Sequence, residues 1–404
     1  MASFRLNLGL SALAVALCGF AAGCSSDAPT ASTDSTGGAG ASAAGTSGAS
    51  GGGSAGASAS GGSAGSAAAG ASSGGSGGSL ATAGAGGMSV AGAAGSNACP
   101  TMGTQADPGT DGDGKTTLTA PYTPAPETLS HLNGAPKGKL NGLEVGGAAM
   151  PQPTIYAKQG AYPGEAQMLK YEYWIYVPAQ YKPGCAATLT VFQDGLHFIG
   201  YDDAGLNAPT VLDNLIASGD IPVTIGLFIN PGEPGTGHYD GHETPIRSQQ
   251  YDTNNDVYVS FLVNEFLPTN VLNQYDIVTD PDGWLIGGHS SGGIAAFVAG
   301  WYRPDKFRKL LTFDASFPNT KPNNGVALLD AINQADAKPL RTYLMSGPND
   351  LGGWYDANTK AATELAAKNY HYIYRVETSS HYPPLAAQQD FANALKWMWR
   401  GYQL

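Results

Sequence analysis

Between residues 171 and 399 the chain alternates apolar runs of strand length with segments of helical periodicity, and few architectures accommodate that alternation. Residues 171–178 interleave aromatic and β-branched side chains and stop at Pro178, as a strand does. Further strands are expected over 187–193, 222–230, 283–287, 309–313, 340–346 and 370–377. Helices are expected between them, over 207–218, 255–266, 291–301, 326–334, 359–368 and 385–399, with a Gly-rich loop at 231–244. Parallel strands need crossover helices, so this order predicts a mostly parallel sheet covered by helices on both faces. In such a sheet, ligands bind outside the carboxyl ends of the strands.

The N-terminal quarter is of a different kind. Gly, Ala and Ser alternate through residues 37–95, which hold 22 of the 57 glycines, and such a tract buries too little apolar surface to offset its backbone entropy. The folded part is therefore expected to run from Cys99 to Leu404, long enough for one large core. Ahead of the tract, residues 1–23 carry Arg5, an apolar run too short for a comfortable membrane span, and small residues before Cys24. Ala21-Ala22-Gly23-Cys24 resembles a bacterial lipobox, in which the Cys is lipidated. The alternative is an ordinary cleaved signal peptide. With Ser25 and Ser26 next, the resemblance to lipoproteins implies the outer membrane or cell surface, and residues 24–98 become a tether reaching about 45 Å. Membrane association is then through the lipid alone. Cys18 leaves with the signal and Cys24 is acylated, so Cys99 and Cys185 remain to form a disulfide in an oxidising compartment. The net charge of −12 argues against a nucleic-acid partner, which needs a basic field.

Gly288-His289-Ser290-Ser291-Gly292 is a G-x-S-x-G pentapeptide set between an apolar strand and a helix. A nucleophilic serine on so tight a turn tolerates small neighbours alone, which Gly288, Gly292 and Gly293 provide. The helix start aims free N–H groups at the reacting oxygen. Ser290 is the expected nucleophile, and the Ser291 N–H an expected oxyanion donor.

Around this motif the sequence resembles the esterase D and enterochelin esterase-like branch of the α/β-hydrolases, which includes feruloyl and acetylxylan esterases and mycolyltransferases. The resemblance spans about 171–402. It rests on Trp174-Ile175-Tyr176-Val177-Pro178, Val191-Phe192-Gln193-Asp194-Gly195, Arg247 through Asp252 with a helix ending Glu265-Phe266-Leu267-Pro268, Gly287 through Gly293, and Arg303-Pro304-Asp305-Lys306-Phe307. Residues 99–168 match nothing in that pattern. The resemblance implies the α/β-hydrolase fold, a Ser-His-Asp triad, no cofactor, and a second oxyanion donor in the Gly195-Leu196 turn, for which Leu196 is favoured.

In this fold the order is Ser, then Asp or Glu, then His. Of seven histidines, His371 and His381 follow Ser290. His371 falls inside an expected strand, whereas His381 sits in a loop before the last helix, so His381 is the expected base. Asp350, in Gly347-Pro348-Asn349-Asp350 after a strand, resembles the family's acid turn; Asp356 and Glu377 are its competitors. His238, Asp240, His242 and Glu243 lie close together in sequence but match no metal-ligand spacing, and no metal is expected there. A substrate-lining loop is the expected role. Trp354 and Tyr355 either stack on an aryl or sugar group or pack in the fold. The leading reading is hydrolysis of a carboxylic ester, on a small molecule or linked to a polysaccharide, of feruloyl, acyl-sugar or siderophore type. Acyl transfer by the same residues and a non-catalytic binding module are the alternatives.

Overall fold

The computed structural model describes Cys99 and residues 109–149, 151–160, 165–200, 205–381 and 384–404. The expected signal peptide, Cys24 and the 24–98 tract lie outside the described residues.

Among the described residues eleven strands form one sheet: β1 Gly114–Thr117, β2 Lys139–Leu140, β3 Leu143–Glu144, β4 Thr154–Gln159, β5 Met168–Val177, β6 Thr188–Gln193, β7 Thr224–Ile229, β8 Trp284–His289, β9 Lys309–Phe313, β10 Arg341–Ser346 and β11 His371–Val376. Their spatial order is β1-β11-β10-β9-β8-β6-β7-β5-β2-β3, with β4 also on β5. Every pairing from β1 across to β7 is parallel, and β5 closes the other side antiparallel to β7. The central strands β6 to β9 are buried at every residue, as strands covered on both faces are.

The helices are α1 Pro126–Leu129, α2 Gly195–Phe198, α3 Ala208–Ser218, α4 Pro245–Tyr251, α5 Val257–Phe261, α6 Ser291–Tyr302, α7 Leu328–Gln334, α8 Trp354–Ala367 and α9 Pro384–Trp399. α3 ends where Gly219 adopts a left-handed φ of 78°, a conformation that costs a residue without Cβ little. α6 is apolar all round and buried from Ser291 to Trp301, so it is a core helix.

Several elements depart from expectation. The helix read to stop at Phe266 continues from α5 in wider π-helical turns, Leu262–Phe266 and Pro268–Leu272. Pro268 lies inside this continuous run, where it has no N–H to donate to the preceding turn. α8 begins at Trp354, five residues before the expected Thr359, because Gly353 at φ 81° starts it. The unplaced residues ahead of 168 supply β1 at one edge of the sheet and β2 to β4 at the other. Between those edges the segment lies along α3 and α9. There the Gly138 N–H donates to Asp213 at 2.8 Å, the Asn214 amide to the Glu127 and Ser130 carbonyls, and Lys396 pairs with Glu127 at 3.3 Å. Cys99 and Cys185 are joined by a disulfide with Cα atoms 5.4 Å apart.

Candidate active site

β8 delivers the chain to Ser290, which takes φ 58° and ψ −124°, a strained conformation for a residue with a side chain, and α6 begins at the next residue. The surroundings hold this turn in place. The Ser290 N–H donates to the Phe313 carbonyl at 2.9 Å, and the Ser290 carbonyl accepts from the Ser316 N–H at 3.2 Å. A Cβ on Gly288 would collide with the Gly292 carbonyl, and one on Gly292 would lie 2.5 Å from Asp194 Oδ2.

Asp350 and His381 reach Ser290 from the carboxyl ends of β10 and β11. The His381 ring lies between them, with Nδ1 2.6 Å from Asp350 Oδ1 and Nε2 3.2 Å from Ser290 Oγ. The Asp350 side chain is fully buried and also accepts from the Leu351 N–H at 2.6 Å, while the imidazole is 21% exposed and so open to a substrate. The two loops are fastened together: Asn349 bridges to Ser380, and the Asn349 amide donates to the Thr378 carbonyl at 2.6 Å.

The competing residues are elsewhere engaged. His371 opens β11, at the opposite end of the parallel sheet from Ser290, and faces Asp113 Oδ2 at 3.0 Å. Asp356 is exposed in the first turn of α8. Glu377 is buried and accepts from the Ser379 N–H, so it shapes the loop that carries His381; burial raises its pKa. Trp354 is also buried, its ring edge-on to the His381 ring at 4.6 Å, and Tyr355 lies beneath Lys115. Both pack within the fold.

Of the two expected oxyanion donors, the Ser291 N–H stands at the first position of α6, where a helix has no acceptor of its own. Leu196 is a correction. Its N–H donates to Asn230 Oδ1 at 3.0 Å, because Asn230 is buried at the end of β7 and held there through Glu172, 3.1 Å from its amide. The residues of the 231–244 loop point apart: His238 faces Glu172 at 3.1 Å, Asp240 accepts from the His242 N–H, and Glu243 takes Arg247.

Several residues around Ser290 carried no role in the sequence. Arg247 forks onto Asp194 at 3.0 and 2.7 Å; burial works against its charge, and the Asp194 carboxylate outweighs that and holds its pKa well above the usual value. Asp252 is buried and accepts from the Ser291 and Ser316 hydroxyls. His289 has its pKa driven well below 6.5 by burial and then by the neighbouring His381, His197 and Arg247. These causes all favour its neutral form. The Arg247 to Asp252 run carries the family resemblance, which was the available signal; that Asp252 meets two serines depends on tertiary placement.

The order of strands, with Ser290 at the turn after β8 and Asp350 and His381 after β10 and β11, is that of the α/β-hydrolase fold. It belongs to the family described as "Putative esterase", which matches residues 168–393. Among solved structures it is similar to the enterobactin esterase from Shigella flexneri, at 18% identity and a TM-score of 0.50, over 69% of this chain and 63% of that one. It thus spans less than two thirds of that protein. A ferulic acid esterase from Anaeromyces mucronatus aligns at 17% identity and a TM-score of 0.45, over 62% of this chain and 92% of the other.

Proposed function

We propose that Ser290, His381 and Asp350 hydrolyse a carboxylic ester through an acyl-enzyme. The observation that carries this is the His381 ring set between Asp350 Oδ1 and Ser290 Oγ at 2.6 and 3.2 Å. Ser290 Oγ attacks the ester carbonyl carbon while His381 Nε2 takes its proton. Asp350 holds the Nδ1–H tautomer and balances the imidazolium. The tetrahedral oxyanion receives the Ser291 N–H and faces the positive end of α6. Collapse breaks the C–O bond, the alcohol leaves with the proton from His381, and a water activated by the same nitrogen then releases the acid and restores Ser290.

The substrate we favour is an extracytoplasmic feruloyl, acyl-sugar or siderophore-type ester, with the protein tethered by a lipid on Cys24. The family match and the lipobox resemblance support this reading. The test is a panel of p-nitrophenyl esters, methyl ferulate, acetylated xylan and a catecholate triester, assayed with Ser290→Ala as the blank. Turnover with no wild-type excess over that blank, together with no labelling by a fluorophosphonate, would overturn the assignment. Cys24→Ser should move the protein from the membrane fraction to the soluble one.

A further inference from the structure

The buried carboxylate of Asp252 has no part in the proton transfers above, yet it touches both residues that fix the nucleophile. Its Oδ2 accepts from the Ser291 hydroxyl at 3.0 Å, and its Oδ1 accepts from the Ser316 hydroxyl. Ser291 supplies the oxyanion N–H, and the Ser316 N–H holds the Ser290 carbonyl at 3.2 Å. One carboxylate therefore grips the chain on both sides of the strained Ser290. Asp252 is itself held: its N–H donates to the Ser248 carbonyl at 3.0 Å, its carbonyl accepts from the Lys321 N–H at 3.0 Å, and Thr253 bridges to Lys321. The position is costly. Burial raises the Asp252 pKa, and the two serine hydroxyls work against that rise. A carboxylate kept in the interior to receive two hydroxyls acts through geometry.

We infer that Asp252 is a positioning residue that sets where the Ser291 N–H and Ser290 Oγ stand relative to a reacting carbonyl, and that the Ser291 hydroxyl is its handle. The inference rests on the Ser290 reading above. Small misplacements of such groups are expensive: about a hundredfold in rate for ~1 Å, and a similar factor or more for one oxyanion donor.

The test is steady-state kinetics on p-nitrophenyl acetate and the second-order rate of Ser290 phosphonylation, for the wild type, Asp252→Asn, Ser291→Ala and the double variant. Asn keeps the size and one acceptor but cannot receive both hydroxyls. We expect Asp252→Asn to lower kcat about 10- to 100-fold with KM within about threefold, and phosphonylation to slow by a similar factor. Ser291→Ala should show a smaller loss of the same kind, and the double variant should be no slower than Asp252→Asn, since the Ser291 contact is one of the two that the Asp252 change disturbs. Ser316→Ala, which removes the other hydroxyl, should lower kcat and slow phosphonylation in the same way. A folded Asp252→Asn with kcat and phosphonylation within about threefold of wild type overturns the inference, as does a loss confined to KM. If Asp252→Asn fails to fold, Ser291→Ala and Ser316→Ala decide the question by the same criterion. A wild type inert to the ester and to the fluorophosphonate would instead sink the Ser290 reading.

Discussion

At the scale of single residues, the two late histidines separate by where the strand β11 puts them. His381→Ala is expected to reduce kcat/KM by about a thousandfold or more, much as Ser290→Ala does, with the double variant little worse than either. His371→Ala, altered at the far end of the sheet, should leave kcat/KM within about threefold. Asp350→Asn should keep the fold and lose activity through the wrong tautomer, with exposed Asp356→Asn neutral; steady-state kinetics and near-UV circular dichroism on each variant check both statements. Lys309 offers a separate test at the start of β9. It is buried between the Trp399 and Tyr402 rings, and burial lowers its pKa from 10.5 to about 8. The unfolded chain therefore binds more protons between pH 8 and 10.5, so the contribution of this lysine is unfavourable below pH 8 and is relieved as pH rises through that window. Relative to Lys309→Met, the wild type should gain stability between pH 8 and 10.5, by roughly 3 kcal/mol at most, measured by urea unfolding across that range. A parallel pH dependence in the two proteins would contradict this.

Among elements, the turn from β8 into α6 depends most on what its residues lack. Gly288→Ala must push the added Cβ into the Gly292 carbonyl, so it should lower Tm and remove activity together. Gly352→Ala faces open space and should change neither; thermal melts and an ester assay on the pair compare them directly. The strand-helix alternation was readable because β6 to β9 are short, mostly apolar runs and α6 is largely apolar, signals that are local in sequence. That Ser290, Asp350 and His381 could be proposed together has a related reason: each follows a strand whose end the sequence marks, and the structure brings the three side chains together. What stayed hidden depends on partners distant in the chain. The engagement of the Leu196 N–H by Asn230 and the convergence of Ser291 and Ser316 on Asp252 involve side chains whose spacing along the chain carries no pattern. The early start of α8 was marked by Gly352-Gly353, but a glycine pair reads equally well as a turn.

For the molecule as a whole, the disulfide and the edge strands tie the start of the described region to its middle and its end. Cys99 and Cys185 are 86 residues apart, and closing a loop of that length is worth about 3–5 kcal/mol in the chain-entropy account. Cys185→Ser should lower the unfolding free energy by about that amount, read from the denaturation midpoint, while leaving kcat unchanged because the bridge is remote from Ser290. The same region supplies β1, whose partner is β11: Gly114 registers with Ile373, and Thr116 bonds Arg375 across 259 residues of chain. That pairing orders events in time. During synthesis β1 leaves the ribosome early and has no neighbour until the last strand follows it, so the sheet edge can close only after nearly all of the chain exists.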